Sequence, residues 1–185
     1  MINDTLVLIP ARKGSKGVPN KNSKTLHDKP LISYTLELAI ECYPLQNIFV
    51  STDDPKIIKI AKNFGIEVPF LRPEELCSDE SPIYNTIINT IDYFEHNKRF
   101  FNKLILLQPT SPFRKPSHIN EANESFEKQK CDVVVSVVKS KANPYLTLYK
   151  QSNDFIKKFK KSNFYRRQDA PNMWELNGSI FLFDI

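Results

Sequence analysis

Apolar and polar positions along this chain fall into short blocks whose period switches back and forth. Leu6-Val7-Leu8-Ile9 is an unbroken apolar run that stops at Pro10, the pattern of a strand buried on both faces. From Lys29-Pro30 the spacing turns helical: Leu31, Ile32, Tyr34, Thr35, Leu38, Ala39 and Cys42 share one face, and Pro44 ends the helix. Ile48-Phe49-Val50-Ser51-Thr52 predicts a second strand. Asp53-Asp54-Pro55 then opens a helix, aspartate supplying the cap and proline the first turn. That helix carries Ile57, Ile58, Ile60, Ala61 and Phe64 and stops at Gly65. Ile66 to Leu71 predicts a third strand, which Pro69 confines to an edge. After the polar stretch Arg72 to Ser81, a helix runs from Pro82 to Phe94 with Ile83, Ile87, Ile91 and Phe94 inward. Lys103 to Gln108 is a fourth, almost wholly apolar strand. A helix from Ser117 with Ile119, Ala122 and Phe126 follows, then a fifth strand, Asp132 to Val138.

Strands alternating with helices predict an α/β protein with right-handed crossovers and a mostly parallel central sheet. Ligands in such sheets sit beyond the carboxyl ends of the strands. Every polar motif here follows a strand: the loop after Pro10, Ser51 to Asp54, Arg72 to Ser81, and Gln108 to Arg114. All four should therefore converge on one rim. From Lys139 the alternation breaks. Tyr145 to Tyr149 and Phe155 to Phe159 read as short strands or an extended arm, and Trp174 to Phe183 as a strand returning to the sheet. The expected division is a core over 1–138, an arm over 139–167 and a return to the sheet over 168–185.

Composition narrows the class. A chain of 185 residues suits one domain and can bury roughly 70% of its unfolded surface. Cys42, Cys77 and Cys131 are widely spaced with no C-x-x-C, which argues against a disulfide framework and against a zinc site. His27, His96 and His118 form no metal-spaced pair and read as surface or internally satisfied residues. No run is long enough to cross a bilayer and the start lacks a signal-peptide core, so a cytoplasmic protein without a membrane partner is expected.

The net charge of +5 is concentrated in two places. One is Lys157-Lys158-Phe159-Lys160-Lys161 with Arg166-Arg167. Its neighbours Phe155, Phe159, Phe164 and Tyr165 could stack on single-stranded RNA or pack in a subunit interface. The interface is the reading taken, and no nucleic-acid partner is expected. The other place is the loop after the first strand. It holds Gly14, Gly17, Arg12, Lys13, Lys16 and Lys21. Glycines let backbone N–H groups approach an anion, and cations neutralise what backbone donors cannot. The spacing is neither G-x-x-x-x-G-K-[ST] nor G-x-G-x-x-G, so mechanism alone supports a phosphate cradle without naming its ligand.

The whole string Ala11-Arg12-Lys13-Gly14-Ser15-Lys16-Gly17-Val18-Pro19-Asn20-Lys21-Asn22 closely resembles the N-terminal signature of the sialic-acid cytidylyltransferases. Four further stretches resemble that family in order. They are Ser51-Thr52-Asp53, Leu71 to Asp79 (an R-P-x-x-L-x-x-D pattern), Leu106 to Arg114 (L-L-Q-P-T-S-P-x-R), and Tyr165 to Gln168 with Asn177 to Phe181. The resemblance spans essentially the whole chain. It implies a three-layer Rossmann-like nucleotidyltransferase fold with a small dimerisation arm, and a homodimer in which the arm closes the partner's sugar site.

The resemblance also implies the chemistry: CMP is transferred from CTP to the anomeric hydroxyl of a nine-carbon α-keto acid sugar, and pyrophosphate is released. Arg12, Lys16 and Lys21 would clamp the triphosphate as the catalytic cations. Ala11, Gly14, Ser15, Asn22, Arg72 and Ser81 would complete the nucleotide site. Gln108, Lys141, Arg167 and Asn177 would meet the sugar. Mg²⁺ would bridge the phosphates, since it prefers phosphate oxygens plus one or two carboxylates. The family's metal acids lie in a D-x-D-like segment that Phe183-Asp184-Ile185 does not reach, so the metal ligands stay unassigned. Asp53 can cap a helix or hold Mg²⁺ with the same carboxylate; the cap is the reading taken. Other readings are the same reaction on legionaminate or pseudaminate, GTP in place of CTP, or nucleotide binding without turnover. The first loop departs from the pattern of the octulosonate enzymes.

Overall fold

A five-stranded sheet positions everything else. The computed structural model describes residues 4–14, 17–78 and 80–185. Strand β1 (Thr5–Pro10) pairs in parallel with β4 (Ile48–Ser51) on one side and with β5 (Lys103–Leu107) on the other. Beyond β5 lie β9 (Trp174–Asp184) and β6 (Val133–Lys139), so the order is β4-β1-β5-β9-β6. The β5–β9 pair is antiparallel, Leu104 facing Phe183 and Leu107 facing Ile180. The sheet is mostly parallel, as the sequence pattern predicts, with β9 running against β5.

The run Leu6–Ile9 is apolar throughout because both faces of β1 are covered. Its side chains alternate between two cores. Val7 and Ile9, with Ile105 and Leu107, pack against helices α1 (Leu31–Cys42), α2 (Pro55–Asn63) and α4 (Pro116–Gln129). Leu6 and Leu8, with Leu104 and Leu106, pack against Ile87 and Phe94 of α3 (Ile83–His96) and against Phe49. This is the three-layer arrangement.

Three local expectations are corrected. Lys29–Pro30 does not open α1: it forms β3 and pairs with β2 (Thr25–Leu26) in a tight hairpin, with His27 at φ 57° in its turn and Pro30 as the cap of α1. The stretch from Ile66 to Leu71 is not a strand. Pro69 offers no ladder donor, and the segment is held instead by side chains: Ile66 is buried, and the Phe70 ring stacks on Phe49 at 4.9 Å and meets Tyr93 at 4.2 Å. Tyr145 to Leu148 is a turn, with strand structure starting at Tyr149.

The described residues divide into two compact units. The first runs to Val135 and resumes at Gly178–Ile185; the second is Ser136–Asn177. Within the second, β7 (Tyr149–Ser152) and β8 (Phe155–Lys158) form an antiparallel hairpin. Asn143 organises its base: its carbonyl accepts the amides of Leu146, Thr147 and Leu148, and its side-chain oxygen accepts the Tyr145 amide. Tyr145 packs edge-on against Phe164.

Candidate active site

Strand geometry brings the polar motifs of the first unit together at the carboxyl ends of β1, β4 and β5. There the chain encloses a cavity of about 530 Å³, within the range of small-molecule sites. Its lining includes Arg12, Lys21 and Asn22 from the first loop, Arg72, Ser78 and Ser81 from the segment after the missing strand, and Gln108 and Thr110 after β5. Among the described residues lining it, three are cations and none is an acid.

Each wall has its own support. The first loop leaves β1 through Ala11, whose amide donates to the Ser51 carbonyl and whose carbonyl accepts the Thr52 hydroxyl at 2.6 Å. Ala11 is therefore wholly buried and does not line the cavity. Gly14 sits at φ +75°, a backbone that side chains rarely adopt, and marks the bend of the loop. Asn20 takes φ 53° as the cap of a 3-10 turn over Lys21–Ser23, which presents Lys21 and Asn22 to the cavity. Ser15, Lys16 and Asp79 lie outside the described residues.

Two polar atoms in this cavity are buried without a hydrogen-bond partner among the described residues: the side-chain oxygen of Asn22 and the hydroxyl of Ser81. Buried polar atoms are rarely left orphaned. Both residues line the cavity, so a ligand there is a candidate partner for each.

Arg72 is 6% exposed and sits behind the cavity. Its guanidinium donates to the Ser51 hydroxyl at 3.0 Å and to the Ser51 carbonyl at 3.1 Å. It is thus a buried wall residue and not the surface ion pair that a lone arginine suggests. Burial, aided by the Arg12 charge, pulls its pKa down, while Cys77 and Asp53 push it back up. Arg12 itself donates to the Cys77 carbonyl at 2.9 Å, tying the first loop to the next wall. Two guanidiniums that feel one another favour an anion between them.

Gln108 is fixed by Arg114. That arginine, 8% exposed, donates to the Gln108 carbonyl at 2.8 Å and to both the hydroxyl and the carbonyl of Ser179. Burial alone lowers its pKa to about 10. Arg114 belongs to this brace and does not cap α4. Gly178 lies inside β9 at φ +68° beside the Gln108 side chain.

Lys141, Arg167 and Asn177 belong to the second unit. Lys141 and Arg167 share a cavity with Lys139, and the Arg167 guanidinium donates to the Lys141 carbonyl at 3.3 Å. The Asn177 side-chain oxygen accepts the Ser136 hydroxyl at 2.6 Å.

Asp53 is not the helix cap. Asp54 is: its carboxylate accepts the Lys56 amide at 2.9 Å. Asp53 turns the other way and accepts the Lys13 amide at 2.5 Å. Mg²⁺ needs at least one available carboxylate beside the phosphates. Among the described residues no three of His, Cys, Asp and Glu gather into a metal-sized group, and Asp53 is already engaged. Among the described residues, no group of three or more such donors is present to hold a metal by protein ligands alone.

Sequence reasoning missed Thr86. Helical spacing put Ile83 in the core, but Ile83 is 41% exposed and lines the cavity, while Thr86 is buried and lines it too. The available signal was Thr86 and Thr90, two threonines at i, i+4 on an otherwise apolar face; the Thr90 hydroxyl bonds back to the Thr86 carbonyl.

The family described as cytidylyltransferase matches residues 6–179. The chain is similar to a CMP-N,N'-diacetyllegionaminic acid synthase of Legionella pneumophila, 38% identical over 96% of this chain and 76% of that protein. It is also similar to an N-acylneuraminate cytidylyltransferase of Streptococcus agalactiae, 37% identical over 96% of this chain and 42% of that protein. Among solved structures, a CMP:2-keto-3-deoxy-manno-octonic acid synthetase complexed with CTP matches with a TM-score of 0.70 at 19% identity, covering 98% of this chain and 74% of that one. At that identity the likeness establishes the fold.

Proposed function

This chain belongs to the cytidylyltransferase family, and from that premise we propose that it transfers CMP from CTP to a nine-carbon α-keto acid sugar, sialic acid or a relative of it. The supporting observation is the single cavity that collects Arg12, Lys21, Asn22, Arg72, Ser81 and Gln108 from separate polar segments. The anomeric hydroxyl oxygen forms a bond to the α-phosphorus, the bond from that phosphorus to the α–β bridging oxygen breaks, pyrophosphate leaves, and the hydroxyl proton is released. Such transfer depends on positioning and on neutralising phosphoryl charge. Arg12 and Lys21, together with Lys16, supply that charge. Asn22, Ser81 and Arg72 hold the nucleoside. Gln108 meets the sugar.

Mg²⁺ enters this reading as a companion of the triphosphate, since the described side chains do not form a centre for it, and no step above runs through it. The protein acts as a homodimer in the cytoplasm. Three free cysteines suit a reducing compartment. Among the described residues, no helix is long and apolar enough to cross a membrane.

The test is a pyrophosphate-release assay crossing CTP and GTP with sialic, legionaminic and pseudaminic acids. Release is expected with CTP and one of these acids, and EDTA should abolish it. Lys21→Ala should cut the rate by roughly tenfold or more, as loss of a positioned charge does. CTP should also raise the melting temperature, because it binds only the folded state. Release from GTP in preference to CTP, or no thermal shift at millimolar CTP, overturns the reading.

A further inference from the structure

We propose that Asp53 is a positioning residue of this site: its carboxylate latches the basic loop by accepting the Lys13 amide. The inference rests on the nucleotide reading above for its functional consequence, and on the following contacts for its geometry.

The end of β4 holds both walls of the cavity. The Ser51 carbonyl accepts the Ala11 amide at 2.9 Å, the Thr52 hydroxyl donates to the Ala11 carbonyl, and the Asp53 carboxylate accepts the Lys13 amide. These contacts fasten the first loop residue by residue as it leaves β1. Asp53 makes the last of them, one residue before Gly14 bends the chain at φ +75°. The other wall is fastened to the same strand end: the Arg72 amide donates to the Thr52 carbonyl at 2.9 Å.

Asp53 also faces the Cys77 thiol, whose pKa it raises, and the Arg72 guanidinium; two further tasks for the carboxylate are filled or unsupported. Asp54 caps α2 through the Lys56 amide. No metal-sized group of His, Cys, Asp and Glu surrounds Asp53 among the described residues. The Lys13 contact is set apart from these by its place in the loop. The Lys13 amide is the last of these fixed points before Gly14 bends the chain, and it lies between the cations Arg12 and Lys21 that line the cavity. Holding the Lys13 amide also fixes the peptide that follows Arg12, whose guanidinium reaches the Cys77 carbonyl. A side chain that orients others at a distance acts through small displacements, and misplacements of about 1 Å can cost about a hundredfold.

The experiment compares the wild-type chain with Asp53→Ala and Asp53→Asn. Hydrogen exchange of the Lys13 amide is measured alongside the CTP dissociation constant by calorimetry. Asp53→Ala should speed Lys13 exchange and weaken CTP about tenfold, a modest share of that misplacement cost. Asp53→Asn keeps a carbonyl oxygen in reach, a neutral and weaker acceptor, and should restore both to within about threefold of wild type, clearly better than the alanine variant. Unchanged Lys13 exchange in Asp53→Ala overturns the latch. An asparagine variant as impaired as the alanine variant also overturns it, because charge and not the contact would then be at work. A wild-type chain that ignores CTP while Lys13 protection still follows the acceptor at position 53 supports the latch and overturns the nucleotide reading, so the two fail separately.

Discussion

At the scale of single residues, the site is built from groups whose sequence context understates their burial. Arg72 and Arg114 stand in polar, proline-rich stretches that suggest surface, yet both guanidiniums are braced against backbone carbonyls. Cys77 is similar. Its thiol donates to the Pro73 carbonyl at 3.2 Å, and burial first, then the Asp53 charge, pushes its pKa up to about 11 from an ordinary 9.0. The pH dependence has a definite sign. A raised pKa means that the folded state favours the neutral thiol, so its stabilising contribution is present below pH 9 and is lost as pH rises toward 11. Because thiolate is the reactive form, alkylation of Cys77 by iodoacetamide near pH 8 should be on the order of a hundredfold slower in the folded chain than in urea. Peptide mass spectrometry across a pH series reads this directly. A folded-state midpoint at or below pH 9 rejects it. None of this was legible in the sequence, where Cys77 is one of three scattered cysteines: the causes are burial first and then the charge of Asp53, 24 positions away, and only the fold creates either.

At the scale of elements, hydrophobic period carried most of the fold. β1, β4 and β5 and the helices between them follow from apolar runs and helical spacing, because burial on one or two faces writes itself into the sequence. Where side chains rather than ladders hold the backbone, the pattern misleads. The stretch Ile66–Leu71 is as apolar as a strand, but it serves as packing for Phe49 and Tyr93. The hairpin of β2 and β3 is only two residues per strand, too short to show a period. Asp53-Asp54-Pro55 announces a helix start, yet which aspartate caps it depends on the path of a loop 40 residues earlier. The two are separable by experiment. Asp54→Ala removes the acceptor for the Lys56 amide and should cost about 1 kcal/mol, lowering the melting temperature by roughly 2–4 °C. The same change at Asp53 leaves the cap intact and should stay within about 0.5 kcal/mol. Urea denaturation of both variants is the check; equal losses reject the assignment.

At the scale of the whole molecule, the question is what covers the second unit. The β7–β8 hairpin exposes Phe155 at 74% and Ile156 at 70%, and Tyr165, Trp174 and Leu176 in the same unit are exposed as well. A two-stranded hairpin is only marginally stable by itself in water, and this many large apolar side chains exposed in one small unit point to an interaction surface. The lysines that flank it, Lys157 and Lys158 among them, disfavour a face-on stack of identical hairpins but suit the rim of an interface whose centre is aromatic. A second copy of the chain is the occupant that the arm's resemblance to a dimerisation element selects. Multi-angle light scattering at micromolar concentration should therefore give twice the 21.5 kDa of one chain. Replacing Phe155 and Ile156 together by glutamate should return that mass to a single chain while the melting of the first unit is retained, since neither residue belongs to its cores. A monodisperse wild-type species with the mass of one chain rejects the homodimer. The sugar assignment of Lys141 and Arg167, which leans on the arm serving a partner subunit, would then fall with it.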